Sequence, residues 1–363
     1  MISLPLPGDP LPWFTAATRS MPDFRIHSVA GRIVVFCSPG DLRDPLRRAM
    51  LDRLRARRDV FDGTHAGIYF LVREPDTIDA ACAVGEHGSQ ILLDPSGDCA
   101  ALLGLTEPGS IVADRRLRSL CAMRIDDPIA HADRLIDYVA ALPRPQLATP
   151  AVGTAPILVV PRIFEPELCT ALIAHYVAHG GEDSGFMRED AAGRTVGMID
   201  HRFKKRRDCL IDETDLRDAV RDRIHRRLAP ELHKAFNFSA TRIERYLIAC
   251  YDSGEGGYFR PHRDNTTRGT AHRRFAVTLN LNAEEYDGGE LRFPEYDDRT
   301  YRAPTGGAVV FSCSLLHEAL PVRRGRRYCV LPFLYDEAAA SLRAANADCL
   351  LDPVLQDIAR KTA

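Results

Sequence analysis

Tyr246-Leu-Ile-Ala-Cys-Tyr-Asp-Ser-Gly-Glu-Gly-Gly-Tyr-Phe-Arg-Pro-His-Arg-Asp-Asn265 is the stretch on which the fold turns. Tyr246 to Tyr251 and, further on, Arg274-Phe-Ala-Val-Thr-Leu-Asn-Leu281 read as strands, with Gly256, Gly257 and Pro261 between them. Side chains at i and i+2 of a strand share a face, so His262 and Asp264 are expected to aim into one space. A second apolar run, Ala308-Val-Val-Phe311, leads into His317. Two imidazoles and one carboxylate on one face of a metal ion leave the opposite positions open to reactants.

A His-x-Asp triplet alone is common. Its company makes it informative. Ten residues after His317, Arg327 opens the strand-like run Arg327-Tyr-Cys-Val-Leu-Pro-Phe-Leu334. A guanidinium fork there can grip a carboxylate bidentately, as a lysine cannot. Arg326 and Arg327 must point to opposite faces, and only one can enter the pocket. The bland alternative makes His262 and His317 ordinary polar residues of a β-sandwich; triad and anchor occurring in this order outweigh it.

With these residues in view, the stretch resembles the Fe(II)/2-oxoglutarate-dependent dioxygenases, in particular the prolyl 4-hydroxylase-like branch. Cys250 to Asn265 and Asp287-Gly-Gly-Glu-Leu-Arg-Phe293 carry the resemblance. It implies iron ligation by His262, Asp264 and His317, with Arg327 on the distal carboxylate of 2-oxoglutarate and Tyr251 contacting the same co-substrate. Leu279 departs from the pattern, since the branch carries a second tyrosine on this strand; Thr278 and Asn280 are the polar groups offered instead.

At 363 residues the chain is comfortable for two domains. With 45% hydrophobic and 27% charged residues it reads as an ordinary globular protein, and a net charge of -2 points to neither nucleic acid nor membrane. No run reaches the length of a transmembrane helix and the N-terminus lacks a signal pattern, so a cytoplasmic location is expected. Ten cysteines without a Cys-x-x-Cys pair indicate neither a zinc cage nor a disulfide framework.

Residues 1–142 read as alternating strands and helices: strand 32–38, a helix from about Asp44 with Pro45 in its first turn, strands 68–72 and 90–94, a short helix 100–104, strand 110–114 and a closing helix 130–142. The alternation predicts a mostly parallel sheet covered on both faces. From Gly8-Asp-Pro-Leu-Pro-Trp-Phe14 through Leu93-Asp-Pro-Ser-Gly-Asp98 this unit resembles a thioredoxin-fold peroxiredoxin. The family's reactive Pro-x-x-x-Thr-x-x-Cys loop is degenerate: in Pro39-Gly-Asp-Leu-Arg-Asp-Pro-Leu46, Arg43 and Leu46 take the last two positions. Leu46 cannot be a thiolate, and Cys37 should be buried in its strand, so a non-catalytic module is expected. Such a surface would serve docking or homodimerisation.

Residues 143–156 form a proline-rich linker, and 157–363 the oxygenase domain with its metal core at 246–335. A strand at 157–160, a helix beginning near Pro166 and a helix from about Asp215 to Phe236 precede that core. Between the helices, residues 186–209 hold the turn Asp190-Ala-Ala-Gly193 and the basic run Lys204 to Arg207, read either as a solvated hairpin or as a lid over the iron. Arg206 and Arg274 are the candidate substrate contacts. Glu337 to Ala363 reads as helix.

The expected architecture is therefore an α/β thioredoxin-like domain followed by an α+β double-stranded β-helix, a jelly roll. The expected chemistry, implied by the resemblance, is hydroxylation of an unactivated C–H bond using Fe(2+), 2-oxoglutarate and O2, releasing succinate and CO2, with ascorbate as an optional reductant. The default substrate of the branch is a prolyl residue of a peptide or protein. A free amino acid or small molecule is equally compatible, and a redox or oxygen sensor that recruits a partner through the N-terminal unit is the alternative of another class.

Overall fold

The computed structural model describes residues 4–18, 21–73, 88–144, 153–296 and 298–361. The chain divides into two compact units, 1–149 and 150–363. In the first, strand β1 (Ile33–Ser38) leads to helix α1 (Pro45–Ala56), followed by β2 (Ala66–Val72), β3 (Ser89–Leu93), α2 (Asp98–Leu102), β4 (Gly109–Ala113), β5 (Ser119–Arg124) and α3 (Pro128–Ala140). The sheet order is β3-β2-β1-β4-β5. Only β1–β2 and β2–β3 pair in parallel; β4 and β5 run antiparallel, so the sheet is mixed rather than mostly parallel. The unforeseen strand is β5, whose Ser-Leu-Cys-Ala-Met-Arg lacks β-branched residues and so gives little local signal.

Both faces are covered, as the unbroken apolar strands demand. Val35, Cys37, Ile68 and Phe70 pack beneath Met50, Leu54, Leu135 and Val139 of α1 and α3. Val34, Phe36 and Leu71 face Leu11, Phe14 and the Ala100–Leu103 segment. Asp44 and Asp127 cap α1 and α3 by accepting first-turn N–H bonds, each with proline at the next position, where no amide partner is lost.

The second unit opens with β6 (Leu158–Val160) and α4 (Pro166–His179), then β7 (Phe186–Glu189), β8 (Thr195–Met198), β9 (Lys204–Lys205), β10 (Arg207–Leu210), α5 (Thr214–Arg223) and α6 (Ala229–Phe236). The expected single helix over 215–236 is interrupted by a π turn, Ile224–Leu228. Pro230 has no N–H for the carbonyl four residues back and its ring would crowd it, so the ladder widens there.

The remaining strands are β11 (Arg242–Glu244), β12 (Leu247–Asp252), β13 (Tyr258–His262), β14 (Phe275–Asn280), β15 (Leu291–Arg292), β16 (Thr300–Tyr301), β17 (Ala308–Ser312), β18 (His317–Ala319), β19 (Arg326–Val330) and β20 (Phe333–Tyr335). They form two antiparallel sheets. The larger runs β11-β20-β14-β19-β12-β10, with β17 on β14 and β6 on β17; the smaller runs β9-β13-β18-β15-β16. Alternation on β12 and β19 sorts the larger sheet's side chains. Ile248, Cys250, Tyr328 and Val330 face Leu172, Tyr176 and Val220 of the helices, whereas Ala249, Tyr251 and Cys329 face Phe259, Phe293 and Phe311 between the sheets. This is a jelly roll with helices on one outer face.

The C-terminal segment is two helices, α7 (Glu337–Ala345) and α8 (Pro353–Lys361), not one. Pro353 disfavours helical backbone at Asp352, and Leu351 instead donates its N–H to the Thr195 carbonyl at the foot of β8 (3.0 Å).

Candidate active site

Strands β13 and β18 are neighbours in the smaller sheet, and His262 and His317 are direct cross-strand partners. Their ring centroids lie 4.3 Å apart. Asp264 does not share the strand with His262 as the i, i+2 reading supposed. β13 ends at His262, and Asp264 sits in the following turn, where its N–H donates to the Cys313 carbonyl (3.0 Å). The turn still carries the carboxylate to the histidines: Oδ1 lies 3.6 Å from His262 Nε2 and Oδ2 3.4 Å from His317 Nε2.

Both imidazoles are held by the nitrogen turned away from the carboxylate. Nδ1–H of His262 donates to the Arg260 carbonyl (2.7 Å), and Nδ1–H of His317 to the Leu315 carbonyl (3.0 Å). A carbonyl only accepts, so each Nδ1 carries a proton and the bare nitrogen of the neutral ring form is Nε2, on the carboxylate side. Phe259 stacks on His262 at 3.5 Å and Phe311 lies 4.5 Å from His317, fixing both planes. Burial pushes the His317 imidazole down to about 4. Burial works against ionisation of Asp264, but the His317 and His262 rings and the Arg273 guanidinium hold its carboxyl well below the usual range. Two imidazole nitrogens and one carboxylate turned toward one point suit ferrous iron.

The triad opens into a cavity of about 640 Å³. On the larger-sheet side of that cavity stand Tyr251, Thr278 and Arg327, all buried. Arg327 is 2% exposed, and its Nε and Nη1 make no hydrogen bond. Its Cζ lies 5.0 Å from the centre of the Tyr251 ring. Arg326, by contrast, leaves the sheet on the other side and pairs with Asp252 (2.6 Å). A buried guanidinium with bare N–H groups facing a cavity is an anion site, which fits the distal carboxylate of 2-oxoglutarate. Two glycines make room for it. A Cβ on Gly289 (φ +69°) would come within 3.0 Å of Arg327 Cδ, and one on Gly257 within 2.8 Å of Tyr251 Cα. The Gly-Gly pairs of both sequence motifs thus border Arg327 and Tyr251.

Other expectations need correction. Leu279 points away from the cavity into the core beneath the helices, and Asn280 is buried with its side-chain N–H on the Ala303 carbonyl (2.7 Å). Arg274 does not line the cavity; Arg273 does, ion-paired to Glu244 (2.7 Å), which also accepts from His272 (2.8 Å). Arg206 lines the cavity but grips Asp208 bidentately (2.7 and 2.6 Å) and reaches the Tyr251 hydroxyl at 3.5 Å, so it braces Tyr251. Lys204, read as solvated, is 4% exposed, donates to Ser184 and to the Gly185 carbonyl (both 2.6 Å), and sits 4.9 Å over Phe259. Burial, reinforced by Arg206, pushes its ammonium well below the usual lysine range.

Two cavity contributors carry no mark in the motifs, and a third, the β7–β8 hairpin, lies within the 186–209 segment read as a solvated hairpin or a lid. Arg245, in left-handed backbone (φ +56°), packs its guanidinium 4.3 Å from the Phe333 ring, whose neighbourhood Arg273 shares at 4.1 Å. The β7–β8 hairpin supplies Phe186 and Arg188 to one wall, and Asp352 and Leu355 of the C-terminal segment add to the lining. The adjacent Glu-Arg pair at 244–245 was the available signal for the first. Nothing local marks the C-terminal segment.

Residues 246–335 match the 2OG-Fe(II) oxygenase superfamily. That segment is a 2OG-Fe(II) oxygenase domain, and the family carries Fe(2+) and 2-oxoglutarate in its name. The chain is 33% identical over 98 residues to a PKHD-type hydroxylase of Synechococcus sp., covering 25% of this chain and 43% of that protein. It is 36% identical over 106 residues to the PKHD-type hydroxylase PiuC of Pseudomonas aeruginosa, covering 26% and 46%. The chain thus spans about half the length of these curated relatives. Among solved structures, a Trichoplax adhaerens prolyl hydroxylase in complex with a hypoxia-inducible-factor degradation-domain peptide is similar at 19% identity and a TM-score of 0.39, over 53% of this chain and 87% of that one. A Pseudomonas putida prolyl-4-hydroxylase is similar at 21% identity and a TM-score of 0.37, over 51% and 94%. Among the described residues, no helix is long and apolar enough to cross a membrane.

Proposed function

We propose that this protein is an Fe(2+)- and 2-oxoglutarate-dependent dioxygenase that hydroxylates an unactivated C–H bond. The observation that carries the reading is one cavity bounded by a preorganised His–Asp–His donor set and by a buried arginine whose Nε and Nη1 lack partners. His262, Asp264 and His317 would hold the iron, and Arg327, with Tyr251 and Thr278, the distal carboxylate of 2-oxoglutarate. Iron, when bound, supplies the oxidising chemistry that 2-oxoglutarate decarboxylation and O2 make available. This chain's residues do the rest. The carbonyls of Arg260 and Leu315 keep Nε2 of both histidines bare, Phe259 and Phe311 exclude water from the ring faces, and Arg206 holds the Tyr251 hydroxyl toward the co-substrate end.

The substrate we infer first is a prolyl residue of a peptide or protein, as in the names of the similar hydroxylases. The β7–β8 hairpin, which walls the cavity, would act as the lid that selects it. A second reading, an acidic small molecule or free amino acid, is favoured by Arg245 and Arg188, which line the cavity with no carboxylate partner among the described residues. Succinate release from purified, iron-loaded protein, with proline-containing peptides on one side and amino and dicarboxylic acids on the other, separates the two. No succinate with any of them, and none from uncoupled turnover, would sink the dioxygenase reading itself. Ascorbate should raise turnover number without being required for the first turnover.

For the N-terminal unit we propose a non-catalytic thioredoxin-like module that docks a partner or a second copy of the chain. Leu46 sits 57% exposed on α1, where the resemblance to peroxiredoxins calls for the nucleophile, and Cys37 is fully buried.

A further inference from the structure

A second constellation of metal-ligating side chains lies on the helical side of the jelly roll, away from the cavity lining. His175 and His179 are four residues apart on α4 and therefore share one face of it. Their rings lie 4.3 Å apart. Glu213, the residue before α5, brings a carboxylate to the same place, and one ligand atom from each of the three lies within 4.8 Å of the others.

The hydrogen bonds settle which nitrogens are free. His175 donates Nε2–H to the Leu210 carbonyl (2.9 Å), and His179 donates Nδ1–H to the His175 carbonyl one turn back (2.9 Å). Each ring is thus held from one side by a backbone carbonyl, the support that metal-binding histidines characteristically have. The other nitrogen of His175, Nδ1, is buried and makes no hydrogen bond; the residue is 94% buried, being 6% exposed. It faces Glu213 Oε1 at 3.4 Å, with Asp212 Oδ1 3.8 Å from Nε2. A bare imidazole lone pair and a carboxylate oxygen at that distance repel each other unless something positive lies between them. A proton on Nδ1 would answer this, giving an ordinary imidazolium–glutamate pair. It would not account for the second histidine, presented on the same face with its Nε2 unengaged.

We propose that His175, His179 and Glu213 form a second metal site, taking a borderline-soft divalent cation of the zinc class, with water completing the coordination. Two imidazoles and one carboxylate are a donor set that zinc accepts readily. Bound there, the ion would tie the last turn of α4 to the start of α5, next to the end of β10 in the larger sheet. The site is independent of the iron triad and of the proposed dioxygenase activity.

The test is metal stoichiometry on the full chain. Metal-stripped protein is dialysed against Zn(2+) and the bound metal measured by elemental analysis, alongside His179→Ala and Glu213→Gln. Both are exposed positions, so the variants should fold. Wild-type protein should hold two equivalents, one at the iron triad and one here, and each variant should hold one. Zn(2+) should also raise the unfolding midpoint less in His179→Ala than in the wild type, while Fe(2+)-supported succinate formation stays the same. Equal zinc content in wild type and variants would overturn the proposal, leaving His175 and Glu213 as an imidazolium ion pair; so would a wild-type protein holding a single equivalent that His317→Ala removes.

Discussion

Replacing Arg327 by Met should move co-substrate binding and folding stability in opposite directions. Without 2-oxoglutarate, the side chain is a buried charge, 2% exposed, with Nε and Nη1 unbonded and the Tyr251 ring as its close cationic contact. Exchanging a poorly compensated buried charge for an apolar side chain of similar length is neutral or stabilising by about 1–4 kcal/mol. With 2-oxoglutarate, a charge-assisted hydrogen bond to its carboxylate contributes about 1.5–3 kcal/mol, so Arg327→Met should weaken binding by roughly 10- to 150-fold. At a concentration of about 100 times the wild-type Kd, the ligand stabilises the wild type by about 2.7 kcal/mol, and the variant by only about 0.3–1.4 kcal/mol. Anaerobic titration of the Fe(2+) protein, followed by its metal-to-ligand absorbance band, gives the affinities; denaturant unfolding with and without 2-oxoglutarate gives the stabilities. Arg326→Ala is the control: its exposed pair with Asp252 should be worth under about 1 kcal/mol and leave the affinity unchanged. If Arg326→Ala proves the more damaging to 2-oxoglutarate binding, or if Arg327→Met binds normally, the assignment of the anchor is wrong.

Ala at His262, Asp264 or His317 should abolish both iron retention, read by metal analysis, and succinate formation; normal iron content in His317→Ala would refute the triad. Burial pushes the Cys37 thiol up to about 12, so the chain should consume no hydrogen peroxide with a dithiol reductant, and any rate that Cys37→Ser removes would contradict this. Phe186→Ala in the β7–β8 hairpin should raise KM for the hydroxylated substrate while leaving the 2-oxoglutarate Kd within about twofold, because the residue packs on Phe203 and on Phe259 of the smaller sheet, whereas Arg327 belongs to the larger. Asp208→Asn should cost about 3–5 kcal/mol at neutral pH by leaving Arg206 unpaired in the interior. Burial opposes ionisation of Asp208, yet Arg206 holds its carboxyl below the usual range, so its contribution is present above the ordinary carboxylate pKa and lost as pH falls through the lowered one; Asp208→Asn should flatten that acid limb in pH-dependent unfolding.

What could be read from the chain was whatever rests on period and short range. Strand alternation separated Arg327 from Arg326, and the long apolar runs located β1, β2, β12 and β14 to within two residues. Features set by distant partners stayed hidden. Asp264 reaches the histidines from a turn held by the Cys313 carbonyl, nearly fifty positions away, where i, i+2 geometry suggested a strand. Lys204 looked solvated within a basic run because the carbonyl and hydroxyl that satisfy it come from residues 184–185. Arg274 and Arg273 were indistinguishable until Glu244 chose the latter. Pro230, in plain view, forced the π turn inside the helix expected over 215–236.

The two halves of the proposed centre hang from different walls. His262 and His317 belong to the smaller sheet, while Tyr251, Thr278 and Arg327 belong to the larger. A molecule reaching from the triad to Arg327 is therefore also a rivet through the sandwich, and a removable one. On the proposed reaction each turnover would convert it into a shorter diacid, and the fastening between the walls would loosen as the product forms. Backbone amides of β13 and β18 should accordingly exchange more slowly in the iron–2-oxoglutarate complex than with iron and succinate, tying the breathing of the jelly roll to the stage of its own reaction cycle.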